Sequence, residues 1–366
     1  MDSPLILGAG PAGCAAAIVL ANNGAQPLLL DRDEAVGDPL CGGFLSWRTL
    51  EQLQALGIDA LKLGAHRVSH LRLFDGERDV VLPLPHAAVG LSRHALDTAL
   101  REVALARGAM IAFDRIGGLT NGVAQGQSQK WRSDSIFLAT GKHDLRGHSR
   151  PRHAKDTTLG LRLRLPASPE RTALLGGAIE LHLFKGGYAG IVLQDGGSAN
   201  VCLALRKSAL ARSGSSPEAL FGWLAAQSPA LAARLEDDWR TIRSDTIGAV
   251  PYGWIGSETT TGLFRLGDQA AVIPSLAGEG ISIALASGSM AARYWLEGGA
   301  SAAPKYQRAF AIKARKPIRL ASLAWHLAET RLGARAALAL ARIAPAVVAQ
   351  FAEMARIAPA PSLAPR

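Results

Sequence analysis

Three segments of this chain combine residue types and spacings that could do chemistry. The first is Gly8-Ala9-Gly10-Pro11-Ala12-Gly13, a G-x-G-x-x-G turn between an apolar run at 4–7 and a helix-type stretch at 12–23. In such a turn the first glycine permits the tight bend, the second lets backbone approach a pyrophosphate, and the third lets helix and strand pack closely. Free N–H groups and the helix dipole at the start of that helix favour phosphate. Asp31, followed by Arg32, ends a second apolar run about 20 residues further on, the spacing at which an acid meets a ribose hydroxyl.

The second segment lies far down the chain. Leu263–Leu266 reads as a buried strand and is followed by Gly267-Asp268, then Pro274, then Gly278-Glu279-Gly280-Ile281 at the start of a helix. An acid there can hold a sugar hydroxyl. A helix N-terminus aimed at a ring carbonyl can stabilise negative charge on the ring. A reduced flavin develops such charge, and a nicotinamide dinucleotide would not need this second site. The third segment is Leu40-Cys41-Gly42-Gly43-Phe44. Its glycines leave the backbone free for close approach, and Cys41 has three readings: redox participant, proton donor, or small apolar filler.

Other chemistries find little support. No second G-x-G-x-x-G follows a strand, and there is no Cys-x-x-Cys. His66 and His70 sit four apart in a strand-like stretch, where that spacing does not converge on a metal. No nucleophile elbow of the hydrolase type is present.

The elements needed to hold these segments are legible. Residues 4–31 form a β-α-β unit. Residues 50–56 read as a helix stopped by Gly57, and 68–74 with 80–84 as paired strands around Asp75-Gly76. Ser92 caps a helix over 93–107. Runs at 110–113 and 136–138 return to the first layer. Between 159 and 204, short apolar segments separated by glycines predict an antiparallel sheet. Helices follow to about 237, and another runs over 280–296. The expected division is a dinucleotide-binding domain at 1–160 plus 245–303, with 65–90 able to join the substrate side. A substrate domain follows at 161–244, and a helical segment at 304–366.

Length and charge agree. The 366 residues suffice for two domains. Hydrophobic residues make up 48%, which excludes a disordered chain, and three cysteines exclude a disulfide scaffold. The net charge of +10 is concentrated after residue 304, where eleven Lys/Arg face only Glu329 and Glu353. On a helix over 331–343, Arg331, Arg335 and Arg342 fall within about 40° at roughly 100° per residue. That tail reads as a packed helix pair, as a surface for anionic membrane, or as a dock for an acidic carrier protein. The basic loop 142–155 reads as solvated or as an attractor of anions. The near-neutral body excludes nucleic acid as a partner. No apolar run is long enough to span a membrane, and a cytoplasmic protein, with or without peripheral membrane contact, is expected.

Taken together, Gly8–Gly13 with Asp31, Arg93 in Leu91-Ser92-Arg93-His94, and Gly267-Asp268 with Pro274 and Gly278–Gly280 resemble the FAD-dependent oxidoreductases of the aromatic hydroxylase and geranylgeranyl reductase superfamily. The resemblance implies a Rossmann-type α/β FAD-binding domain with an inserted antiparallel β-sheet substrate domain and a helical tail. It implies FAD on Gly8, Gly10, Pro11, Ala12, Gly13, Asp31, Arg32, Cys41, Gly42, Arg93, Gly141, Gly267, Asp268, Pro274, Gly278, Glu279, Gly280 and Ile281. Asp31 would take the adenosine ribose, Arg93 the pyrophosphate side and Asp268 the ribityl chain. The Cys-Gly segment is similar to one the reductases place near the flavin ring. Their aromatic-rich substrate strand is reduced here to Tyr188 in Gly187-Tyr188-Ala189-Gly190-Ile191, and the Trp-x-Trp signature of the flavin halogenases is absent. The first expectation is therefore an NAD(P)H-using monooxygenase. It would act through a C4a-(hydro)peroxyflavin on a small hydrophobic substrate, aromatic or polyketide-type, lying near Tyr188. The alternatives are a reductase of isoprenoid or lipid double bonds assisted by Cys41, and a non-catalytic flavin-bound docking protein.

Overall fold

The computed structural model describes residues 3–152 and 154–359. Five short strands form a fully parallel sheet in the order Leu263–Arg265, Ile136–Leu138, Leu5–Leu7, Leu28–Asp31, Met110–Phe113. The run Leu5-Ile6-Leu7 is buried on both faces, as a central parallel strand requires. Helix α1 (Pro11–Ala21) leaves the first strand, and α2 (Trp47–Ala55) and α3 (Arg93–Ala106) follow. The α2 helix starts three residues earlier than the sequence suggests, because Ser46 caps it through the backbone N–H of Thr49.

A Cβ at Gly13 would lie 2.0 Å from the Gly8 carbonyl oxygen, so only glycine lets α1 sit this close to its strand. The long helix α8 (Gly280–Gly298) crosses α1 just as closely, with a Cβ at Gly288 falling 2.2 Å from the Ala12 oxygen. The stacked rings of Phe137 and Phe264 join the α1–α8 layer to the sheet in one core.

The second sheet has eight strands in the order Asp245–Val250, Thr158–Leu165, Ala199–Arg206, Gly187–Leu193, Gly177–Phe184, His66–Asp75, Arg78–Gly90, Phe44–Leu45. The hairpin at 66–90 therefore extends the sheet built by residues 158–206. The pairings within 158–206 are antiparallel, as the apolar segments at 159–204 predict, but the union of the hairpin with Gly177–Phe184 is parallel, a junction for which the sequence gives no direction. The strands arrive from distant parts of the chain, and a local pattern of apolar runs does not encode their relative direction. One face of this sheet is covered by α4 (Pro169–Leu175), α5 (Lys207–Arg212), α6 (Pro217–Gln227) and α7 (Pro229–Leu235). The other faces the cavity described below. A third, three-stranded sheet (Ile116–Thr120, Val123–Gly126, Lys130–Arg132), which the apolar pattern does not predict, packs on the face of the first sheet opposite α1 and α8.

The C-terminal part is three helices rather than a pair: α9 (Ala303–Ala328), α10 (Arg331–Ile343) and α11 (Pro345–Met354). Pro317 lies inside α9, and Pro345 opens α11.

Candidate active site

A cavity of about 1210 Å³ runs from the Gly8–Gly13 turn, along the Cys41–Gly43 segment and the Gly278–Ile281 turn, to the tail helices. Every residue assigned above to FAD borders it except Gly13 and Pro274, which lie in the same two turns. The sequence-distant segments thus line one continuous space.

At the phosphate end, α1 begins without any side-chain cap, so its first N–H groups are left for a ligand. A Cβ at Gly10 would meet only a guanidinium nitrogen of Arg93, at 3.7 Å; otherwise the space in front of it is open. Arg93 is not a solvent-facing helix charge. It is largely buried and pairs with Asp97 at 2.6 Å. Burial works against its charge, but Asp97 holds its pKa above the ordinary arginine value. A fixed cation therefore stands beside the Gly10 turn. Asp31 accepts the Ala9 N–H at 2.6 Å, which ties this acid to the same turn. Arg32 is half exposed and pairs with Asp33.

At the ring end, Gly267 enters with φ of 55°, its N–H donating to Ser287 Oγ, and this delivers Asp268 to the cavity wall. The α8 helix also starts without a side-chain cap, and a Cβ at Gly280 would meet nothing within 4 Å. Gly42 likewise faces open space, and Asn200 Nδ2 pins that segment by donating to the carbonyls of Cys41 and Gly42. Two uncapped helix starts, a buried cation and two bare glycines fit a dinucleotide with pyrophosphate at one end and a planar ring at the other.

The basic loop 142–155 proves largely structural where it is described. Arg150 is buried, pairs with Asp144 at 2.7 Å, and donates to the backbone carbonyls of Asp268 and Lys142. Lys142 donates to the Leu40 carbonyl. These cations brace Asp268 and the Cys41 segment from behind. His153 lies outside the described residues.

Beyond the ring-facing turns the cavity becomes apolar, with Leu71, Leu73, Leu82, Ile179, Leu181 and Leu203 among its walls. It carries one polar node. Tyr188 donates to Ser275 Oγ at 2.7 Å, and the Tyr252 hydroxyl lies 2.6 Å from the same oxygen. Burial pushes both phenols well above the usual tyrosine range, so both remain neutral. Trp325 of α9 packs edge-on against both rings. The sequence singles out Tyr188 but not Tyr252, Ser275 or Trp325, which nothing local to their neighbours marks. Cys202 lines the cavity near Cys41, and burial pushes its thiol up to about 12, so it is inert as a nucleophile.

The α8 turn is tied to the tail. Glu279 is buried, accepts from Ser46 Oγ at 2.6 Å, and pairs with Arg356 at 2.7 Å. Arg356 also donates to the Ala277 carbonyl and lies over the rings of Trp47 and Phe44.

Comparison with known proteins agrees with this geometry. Residues 3–139 match the family model described as an FAD binding domain. The menaquinone reductase of Mycolicibacterium smegmatis is 25% identical over 320 residues, spanning 81% of this chain and 76% of its own. Among solved structures, PqsL of Pseudomonas aeruginosa superposes with a TM-score of 0.76 at 14% identity, covering 91% of this chain and 98% of its own. The flavin-dependent brominase Bmp2 gives a TM-score of 0.74 at 15% identity over 96% and 92%. The chain carries an FAD-binding domain over residues 3–139, and its similarities are to FAD-dependent oxidoreductases. Its cofactor is FAD, and its fold is shared with flavin-dependent monooxygenases and halogenases.

Proposed function

We propose that the protein is an NAD(P)H-dependent FAD monooxygenase that hydroxylates a lipid-soluble ring compound, with an oxygen-bearing aromatic head and an apolar tail. The observation that carries this reading is the Tyr188–Ser275–Tyr252 node, a single polar cluster set beside the ring-facing turns in a cavity otherwise walled by aliphatic side chains. A phenol or carbonyl on the substrate head can join that node, while the aliphatic walls hold the rest by burial alone. Bound FAD would supply electron transfer and oxygen activation; the protein supplies position and dryness. The α8 N-terminus stabilises negative charge at the ring. Tyr188, Ser275 and Tyr252, all neutral, orient the head through their hydroxyl groups. Helices α9 to α11 wall the far side of the cavity with apolar side chains. One oxygen atom of O2 enters the product and the other leaves as water, with NAD(P)H giving two electrons.

A reductase of a ring-bearing or isoprenoid lipid is the second reading. It is favoured by the chain-wide similarity to a menaquinone reductase and by the Cys41-Gly42-Gly43 segment at the ring end. Oxygen separates the two. The FAD-loaded protein is given NADPH or NADH with alkyl phenols and alkyl quinones, in air and under strict anaerobiosis. Product carrying label from 18O2, and none without oxygen, supports hydroxylation; anaerobic multiple turnover overturns it.

A further inference from the structure

We infer that α10 and α11 form a docking surface for an anionic lipid bilayer, placing the mouth of the substrate cavity at the membrane. The lipid-substrate aspect rests on the function proposed above; the docking itself does not.

The argument begins with how α10 divides its circumference. At roughly 100° per residue, its side chains fall into three sectors. Gly333, Ala334, Leu338 and Ala341 are buried against the body of the protein. Arg331, Arg335 and Arg342 form a solvent-exposed stripe, in which Arg335 lies 4.0 Å from Asp75 and Arg342 donates to the Asp79 carbonyl while Arg331 is unpaired among the described residues. Leu332, Ala336, Ala339, Leu340 and Ile343 form a second solvent-facing stripe, and it is apolar. Leu332 is 79% exposed and Ile343 is 84% exposed. A helix needs only its buried sector to fold onto a protein, so a second apolar stripe beside a basic one has no use in the isolated chain. Side by side, apolar and cationic stripes are what an interfacial helix presents to acyl chains and anionic headgroups.

Continuity with the cavity selects the occupant. Leu327 of α9, Leu340 of α10 and Val347 of α11 are all exposed to solvent, and all three also border the cavity. The exposed apolar stripe therefore runs over the rim into the substrate space. Met354 extends the exposed apolar surface along α11. The two helices meet at a bend of 112°, and among the described residues no single helix is long and apolar enough to cross a bilayer, so the pair suits lying in the headgroup layer rather than spanning. Charge complementarity fixes the sign. The acids of this region, Glu329 and Glu353, are consumed by Arg206 and by Arg48 and Trp47. Lys305, Arg308, Lys316 and Arg319 add exposed cations on α9.

The test is flotation of the FAD-loaded full chain with vesicles of phosphatidylcholine alone or with phosphatidylglycerol, alongside Leu332→Glu/Ile343→Glu. We expect binding to the anionic vesicles that weakens with salt and falls at least tenfold in the double variant. The variant must keep its flavin absorbance and unfolding temperature. Should it fail to fold, hydrogen exchange of the unmodified protein replaces it, with protection of amides 331–354 expected on adding anionic vesicles. Absence of binding to anionic vesicles, unaltered binding by a folded variant, or a vesicle-independent dimer broken by the same substitutions would each overturn the inference. None of these readouts uses turnover, so failure here is distinguishable from a wrong reaction.

Discussion

Arg356, near the end of the described chain, pairs at 2.7 Å with Glu279, the residue that precedes helix α8. Both side chains are buried, and one Glu279 oxygen has no partner among the described residues. The tail is thereby latched to the ring-binding turn through charge rather than through apolar packing alone. Arg356→Ala would leave Glu279 buried beside Ser46 without a cation. Removing one partner of a buried pair costs about 3–5 kcal/mol. We expect a marked drop in unfolding temperature together with weaker FAD retention. Arg356→Ala/Glu279→Gln should recover much of the stability, which thermal unfolding of both variants in the presence of FAD will show.

The two glycines flanking Pro11-Ala12 are predicted to fail in different ways. Gly10 faces open cavity, so Gly10→Val should fold normally and lose FAD affinity by at least about tenfold, equivalent to about 1.4 kcal/mol. Gly13 has no such room, since a Cβ there would fall 2.0 Å from the Gly8 carbonyl oxygen. Gly13→Val should therefore lower the yield of folded protein before any affinity can be measured. Fluorescence titration of apoprotein with FAD, beside unfolding curves, separates the two.

The contrast also marks how far sequence carries the site. Spacing alone points to Gly8–Gly13 and Asp31, because a phosphate turn is a local backbone device whose glycines and terminal acid lie within one β-α-β unit, whereas Gly267–Ile281 is singled out by its strand–loop–helix pattern and its resemblance to flavoproteins. The polar node is not legible in the same way. Tyr188 comes from the second sheet, Tyr252 from a loop after Val250, Ser275 from the turn before α8, and Trp325 from α9. Their meeting depends on packing among four elements and leaves no period or motif in any of them. Arg93 shows an intermediate case: its helix and cap are readable from Ser92, but its direction toward Gly10 depends on Asp97 holding it there.

If the node orients a substrate oxygen, Tyr252→Phe should cost about 0.5–1.5 kcal/mol, or roughly two- to tenfold in kcat/KM. The loss should be seen with substrates bearing a ring hydroxyl or carbonyl and be absent with the deoxygenated analogue. Equal losses for both compounds would reduce Tyr252 to a packing role. Tyr188→Phe should follow the same pattern with a larger stability cost, since Tyr188 is the more deeply buried of the two.

Acid should destabilise the fold in two stages. His182 is buried, stacked on Phe74 with ring centroids 4.3 Å apart, and 3.1 Å from Glu180, with Arg234 and Arg72 also facing Glu180. Burial lowers its pKa below the ordinary histidine value, outweighing Glu180. The unfolded chain then binds the proton more readily, so stability begins to fall as pH drops through about 6.5. Asp114 and Asp144 lie below the usual carboxylate range. Burial alone would raise both, but Trp131 and Ser128 donate to Asp114, and Arg150 and Arg152 face Asp144. Their contribution is complete above about pH 4 and is lost as pH falls further toward their folded values. His182→Gln, which keeps a donor toward Glu180, should flatten the first stage and leave the second. Unfolding temperature measured from pH 8 to 3 checks both.

Cys41 offers the sharpest division between the two reactions. It is partly exposed in the cavity, and its carbonyl is fixed by Asn200, so its thiol has a defined place near the ring-facing turn. A double-bond reductase must deliver a proton to carbon as hydride arrives, and a thiol so placed could serve as donor; losing a general acid costs about 10²–10⁴ in rate. A hydroxylase has no such need, and its ring-end cysteine would only fill space between Asn200 and the cofactor. Cys41→Ala, which removes the donor with a small change in volume, should therefore leave oxygen-dependent product formation within a few-fold of the unmodified enzyme. Its FAD affinity should be unchanged, because the adjoining glycines rather than the thiol admit the ring. A hundredfold fall in kcat at unaltered FAD affinity would assign Cys41 to proton delivery and turn the reading toward reduction.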